Sequence, residues 1–323
     1  MTDVVRPPAL RPGDRVAIVS PSSPVVHRDR LERGLAQLRS WGLDPVVFPH
    51  ADDVHGHLAG TDDDRAADLN AAFRDPGIRA VIASRGGYGV TRILHRLDWA
   101  ALRHDPKLVV GFSDVTALLL AAWQRLRLVT VHGPFAGRLH LLGGDEESAH
   151  LRRLLTDPRP AGMLTRAGDA PVETVVGGVA EGRLLGGNLS VLCALVGTVD
   201  APDTDGAILV IEDVNEAPYR LDRSLTQLHR AGVLDHVTGV IVGEMVGCDP
   251  PTDRPSLPTA AVVRAAFAGL GIPVVHGLPI GHVDRQLALP LGVRSRLDAD
   301  AGTLTLLEPA TTPRQPAPAG ASA

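Results

Sequence analysis

Short β-branched runs alternate with amphipathic stretches through the first half of the chain, and this alternation limits the fold more than any other feature. RVAIVSP, PVVFP, RAVIAS, KLVVG and LVTVHG are separated by helical stretches at Arg30 to Trp41, around Arg65 to Phe73, from Thr91, and from Val115 to Arg125. Strands written as continuous apolar runs with helices between them belong to a parallel sheet covered on both faces. In such a sheet, sites form beyond the carboxyl ends of the strands. The segments there are Ser20-Pro21-Ser22-Ser23, Ser84-Arg85-Gly86-Gly87-Tyr88-Gly89 and Gly111-Phe112-Ser113-Asp114, which therefore converge on one edge.

The pattern breaks between about Gly143 and Thr174 into charged and Pro/Gly-rich sequence. The predicted organisation is an N-terminal parallel-sheet α/β domain over 1–142, a linker or crossing segment over 143–174, a smaller mixed β/α domain over 175–309, and a disordered tail over 310–323. The second domain holds GRLLGGNLSVLCALVG, where Asn188 can cap a helix, then the strand AILVIED, a helix from Arg220 to Ala231, the strand TGVIVGEM and short terminal strands. At 323 residues with 44% hydrophobic composition, the chain is long and apolar enough for two buried cores.

Several function classes drop out on composition. The net charge is −5 and the basic residues are scattered, which gives nucleic-acid binding no footprint. The opening MTDVVRPPALRPGD has no apolar run of leader length, and no later segment nears the roughly 18 apolar residues that span a bilayer. The expected location is the cytoplasm, with no membrane partner. Cys193 and Cys248 are too few for a disulfide framework and lack ligand spacing, so Cys193 reads as packing. Lys107 is the only lysine, which disfavours Schiff-base chemistry.

The sharpest local feature is KLVVGFSDVTALLLAAW, an apolar strand, a tight turn and Ser113 where a helix starts. A serine at such a turn is thrust out of the sheet edge, beside amide N–H groups able to bind an oxyanion. Ser113 or Asp114 acting as a helix cap is the plainer reading of the same residues. A serine nucleophile needs a base and the base needs an orienting group. Among thirteen histidines, His282 lies on a Gly-flanked loop in GLPIGHVDRQ, and His132, ending LVTVHG, competes with it. Glu212 ends the strand AILVIED and suits the orienting role; Glu216 faces substrate or pairs with Arg220 or Arg223. The glycines of SRGGYG either complete an oxyanion hole or cradle a phosphate, although they match neither nucleotide-loop pattern. His50, Asp52, Asp53, His55 and His57 crowd together like metal ligands, yet a polar loop explains them equally, and no metal or cofactor is expected.

Taken in order, SPSSP, AGTDDDRAADLN, SRGGYG, VGFSDVTALL, GGNLSVLCALVGT, ILVIEDVNEAPYRLDRSLTQL and GLPIGH resemble the L,D-carboxypeptidase family, the muramoyltetrapeptide carboxypeptidases of serine peptidase family S66, from about Arg11 to Leu307. The resemblance implies a two-domain hydrolase with its active site at the domain interface and a triad of Ser113, Glu212 and His282. It also implies oxyanion donors from the backbone of Asp114 and of Gly86 or Gly87. The implied reaction releases terminal D-alanine from a cytoplasmic murein tetrapeptide during cell-wall recycling, and the family's habit suggests a homodimer. Arg85 or Arg285 would meet the substrate carboxylate, with Glu216 also facing substrate. Members that resemble the microcin C immunity peptidase cleave aminoacyl-nucleotide conjugates with the same triad. A reading from another class is a non-catalytic small-ligand-binding α/β protein.

Overall fold

The computed structural model describes residues 3–142, 145–164 and 172–314. Its strands, in chain order, are β1 (Arg15–Val19), β2 (Asp44–Val47), β3 (Ile78–Ala83), β4 (Leu108–Gly111), β5 (Thr130–His132), β6 (Gly162–Leu164), β7 (Glu173–Val176), β8 (Val179–Asn188), β9 (Ala207–Val214), β10 (Gly239–Val246), β11 (Val274–His276), β12 (Leu289–Leu291), β13 (Arg294–Asp298) and β14 (Thr303–Leu306). They form two sheets. A six-stranded sheet has the order β12-β5-β4-β3-β1-β2, and an eight-stranded sheet the order β6-β14-β13-β8-β9-β10-β11-β7.

In the first sheet β1 to β5 pair in parallel, as their unbroken apolar runs predict; Val16 to Val19 and Val109 and Val110 are at most 1% exposed. In the second, β8 to β11 are parallel neighbours, flanked by antiparallel β13, β14 and β6 on one side and β7 on the other. The helix Thr116–Leu126 is buried on nearly every face because it packs on β5 on one side and on β8 and the helix Leu189–Leu195 on the other. That two-sided burial is why TALLLAAW carries no polar stripe. Among the described residues no helix is long and apolar enough to cross a membrane.

Three segments depart from the linear division drawn from the sequence. β12, from the stretch expected in the second domain, pairs antiparallel with β5 at the edge of the first sheet, where Pro290 costs no ladder bond on the open side. The expected crossing segment contains the helix Asp145–Thr156 and β6, which joins the second sheet; residues 143–144 and 165–171 lie outside the described residues. The expected tail is packed as far as Arg314. Thr311 is fully buried, Thr312 bridges Pro8, and Arg314 pairs with Asp14. Apolar and hydrogen-bonding partners near the N-terminus, invisible to composition, hold it there; residues 315–323 lie outside the described residues.

Cys193 and Cys248 are buried, and burial pushes the Cys193 thiol up to about 11. The Lys107 ammonium is enclosed and donates to the Asp75 and Ile78 carbonyls and to Asp105, which spends all three of its protons on structure.

Candidate active site

β4 ends at Gly111, Phe112 is fully extended, and Ser113 then takes a left-handed backbone with φ of 60°. A non-glycine residue in that region costs on the order of 1–3 kcal/mol and persists where the surroundings over-determine it. Here the short 3₁₀ turn Ser113–Val115 runs directly into the helix Thr116–Leu126, so the turn must reverse within two residues. The serine consequently projects from the sheet edge. Facing it is the glycine loop that follows β3. A Cβ built on Gly86 would lie 2.8 Å from Ser113 Cβ and 3.0 Å from its Oγ, so any side chain at position 86 would strike the serine. Gly87, the next residue, is exposed with φ of 125°.

The second sheet supplies the acid. Glu212 sits near the end of β9 with no solvent exposure. Its neighbour Asp213 accepts from Asn188 Nδ2 at 3.0 Å and from the amide and hydroxyl of Ser190 at 3.0 and 2.7 Å. Asn188 in turn caps the helix Leu189–Leu195 through Val191 N, and donates its own amide to Thr116 Oγ1. The strand end bearing Glu212 is thus tied to the helix that follows Ser113. Asn188 capping follows from the sequence, whereas Asp213 as its partner does not, because that pairing crosses from one strand to another.

His282 closes the chain of contacts. Its Nδ1 lies 2.8 Å from Glu212 Oε2 and its Nε2 3.2 Å from Ser113 Oγ. An ionised carboxylate can only accept, so Nδ1 carries the proton and Nε2 is left to accept from the serine hydroxyl. Burial pushes the Glu212 carboxyl up, and its hydrogen bond from His282 pulls it back. Gly281, just before the histidine, has φ of 98°, and a Cβ there would be 2.2 Å from Glu212 Oε2. Only glycine lets the loop pass so close to the acid. The imidazole also stands edge-on to the Phe112 ring, 4.9 Å between centroids, and Arg138 donates to Val283 O at 2.9 Å, pinning the loop from outside.

The other residues singled out in the sequence take different places. His132 is fully buried at the end of β5, 6.0 Å from the Phe112 ring, with no hydrogen-bond partner on either nitrogen among the described residues. Glu216 pairs with Arg220 at 3.5 Å. The Arg85 guanidinium donates to Pro24 O at 2.9 Å and to Gly86 O at 3.2 Å, and Arg285 donates to the buried Glu147 at 2.7 Å. Asp114 is buried and uses its carboxylate internally. Of the crowded loop, His50 meets Asp53 at 2.7 Å and lies 3.9 Å from Asp64, whose other oxygen is engaged in a capping box with Thr61, while Asp52 pairs with Arg28. Arg138 had no signal in the sequence, since nothing local to AGRLH indicates that it reaches a loop more than a hundred residues away.

Comparison with known proteins adds a second line. Residues 16–133 match the LD-carboxypeptidase N-terminal domain and residues 181–297 the LD-carboxypeptidase C-terminal domain. A Streptomyces coelicolor protein named as a carboxypeptidase is 48% identical over 316 residues, 96% of this chain and 98% of the relative. The murein tetrapeptide carboxypeptidase of Pseudomonas aeruginosa is 34% identical over 293 residues, 88% of this chain and 94% of the relative. Among solved structures, a muramoyltetrapeptide carboxypeptidase from Oxalobacter formigenes superposes with a TM-score of 0.78 at 31% identity, covering 93% of this chain and 100% of the other. The wild-type microcin C7 self-immunity protein superposes with a TM-score of 0.86 at 25% identity, covering 95% and 100%.

Proposed function

The chain belongs to the LD-carboxypeptidase family of hydrolases, and on that premise we propose that it is a serine carboxypeptidase releasing terminal D-alanine from murein tetrapeptide. The observation that carries this reading is the unbroken sequence of contacts from Glu212 through His282 to Ser113, 2.8 and 3.2 Å long, assembled from two sheets.

The chemistry follows from those contacts. The Ser113 hydroxyl passes its proton to His282 Nε2 as Oγ attacks the carbonyl before the terminal D-alanine. Glu212 holds the tautomer that leaves Nε2 free and stabilises the imidazolium that forms. The tetrahedral oxyanion sits between the backbone N–H groups of Asp114 and of Gly86, with Gly87 the neighbouring donor; each such donor is worth about 10²–10³ in kcat. His282 then returns its proton to the departing D-alanine nitrogen, leaving an ester on Ser113. Water, deprotonated by the same nitrogen, attacks that ester and restores the serine with release of the shortened peptide. The terminal carboxylate of the substrate calls for a cation, with Arg85 or Arg285 as candidates, and Glu216 faces the remainder of the peptide. A role in cell-wall recycling carries with it a cytoplasmic setting and, by the habit of the family, a homodimer, which light scattering of the purified protein tests.

Incubation with murein tetrapeptide, with D-alanine followed by mass spectrometry, tests the reading. Release by wild type but by neither Ser113→Ala nor His282→Ala supports it, and undiminished release by Ser113→Ala sinks the mechanism. The close superposition on the microcin C7 self-immunity protein favours a second substrate class, aminoacyl-nucleotide conjugates. Cleavage of those with no action on tetrapeptide would replace the first class by the second. Unchanged binding of a ligand by Ser113→Ala, with no hydrolysis by wild type, would instead indicate a binding protein.

A further inference from the structure

An oxyanion hole needs two N–H groups aimed at one point, and in this protein the two candidates belong to different loops. Asp114 N lies in the turn after β4; Gly86 N lies in the loop after β3. The ladder between β3 and β4 ends at the Ile82 and Val110 pair, short of both. Something other than the sheet must set their separation, and catalytic groups must be held to within about 0.5 Å.

The side chain of Asp114 spans that gap. It is 4% exposed, and its Oδ2 accepts from Val90 N at 3.0 Å, at the exit of the glycine loop, and from Ser22 Oγ at 2.7 Å, in the loop after β1. Ser22 is itself fully buried, so its one hydroxyl proton is committed to this carboxylate. The serines on either side brace the same glycine loop elsewhere. Ser20 Oγ donates to Ala51 O at 2.6 Å and lies 2.6 Å from Ser84 Oγ, which must then be the donor of that pair. Ser23 Oγ accepts from Tyr88 N at 3.2 Å. The run SPSSP thereby touches the start, the far arm and, through Asp114, the end of the loop carrying Gly86.

We propose that the Asp114 carboxylate, held by Ser22, is a positioning residue that sets the oxyanion hole by locking the glycine loop 84–89 against the turn of Ser113. This rests on the serine-hydrolase reading above. Either oxygen chemistry serves, since an amide carbonyl accepts the same two donors; the negative charge is not what the role requires. Asp114→Asn is therefore expected to stay within about fivefold of wild type, while Asp114→Ala loses about 10²–10³ in kcat with KM nearly unchanged, the size of a lost oxyanion donor. Ser22→Ala, which removes one of the two bonds and leaves the turn itself intact, falls about tenfold in kcat.

The test has two arms. In the first, kcat and KM on tetrapeptide are measured for the three variants, together with the affinity of a boronic-acid analogue of the peptide, which becomes tetrahedral on Ser113. A fall in kcat matched by an equal fall in analogue affinity, and restored by asparagine, supports the proposal. Loss shared between kcat and KM, loss not restored by asparagine, or wild-type kcat in both Asp114→Ala and Ser22→Ala overturns it. In the second arm, hydrogen exchange of the amides of residues 84–90 is compared between wild type and Ser22→Ala, needing neither substrate nor the riskier alanine at 114. Faster exchange confined to that loop supports the lock; unchanged exchange overturns it, even if wild type proves inactive on tetrapeptide and the substrate assignment fails separately.

Discussion

His282 and His132 both stand edge-on to the Phe112 ring, at interplanar angles of 62° and 73°, and there the likeness ends. The His282 side chain is 14% exposed and has a partner on each nitrogen. His132 is wholly enclosed, without a hydrogen-bond partner among the described residues, and burial, reinforced by the nearby His282, pushes it down to about 3. A group held that low stays neutral and binds no proton at physiological pH, so it is a poor general base. His132 ends β5 and His282 lies on a glycine-flanked loop between β11 and β12, and the sequence leaves the two as rivals. What separates them is the carboxylate on one nitrogen and the serine on the other, the two partners that the proposed role of general base requires.

The largest effects are expected at the serine and at His282. Ser113→Ala and His282→Ala are each expected to lower kcat by about 10⁴-fold or more, read from D-alanine release, because the members of such a unit fail together. His132→Asn leaves kcat within about fivefold; a loss comparable to that of His282→Ala would reverse the two assignments.

Glu212→Gln comes next, with about 10³–10⁴ lost from kcat as the amide no longer enforces the productive tautomer. Glu216→Gln should differ by less than about tenfold, and in KM. The opposite ranking would move the orienting role to Glu216.

The smallest effect is on stability, and its sign follows from the buried histidine. In the folded protein His132 stays neutral down to about 3, whereas unfolded it takes up a proton below about 6.5. The unfolded state therefore binds more protons across that window. Its contribution is fully present above the unfolded value and drains away as pH falls, by at most about 1.4 kcal/mol per unit. Urea unfolding of wild type and His132→Asn at pH 7 and pH 4.5 should show the acid-induced loss reduced in the variant by up to about 2–3 kcal/mol. Equal losses would show that His132 is accessible to protons in the native state.

Much of this was legible from residue patterns. The parallel character of the first sheet and the strand-end positions of Ser113 and Glu212 were readable because each depends on a strand run and the polar residues that follow it, all within a few positions of one another. The serines of SPSSP were visible as a motif, but their targets at Ser84, Asp114 and Tyr88 were not, since each contact joins loops whose proximity exists only after the sheet has formed. β12 was hidden for a related reason. Three residues containing a proline carry almost no strand signal, and their partner β5 lies on the far side of an entire sheet's worth of sequence.

That short strand bears on how the site comes together. The loop bearing His282 leaves the second sheet and, within a few residues, enters β12, which is bonded to β5 and through it to β4, the strand that delivers Ser113. The same loop starts from β11 in the second sheet, so its two ends are held by different sheets. In the proposed mechanism the base therefore rides on a segment tied to the sheet of its nucleophile as well as to the sheet of its acid.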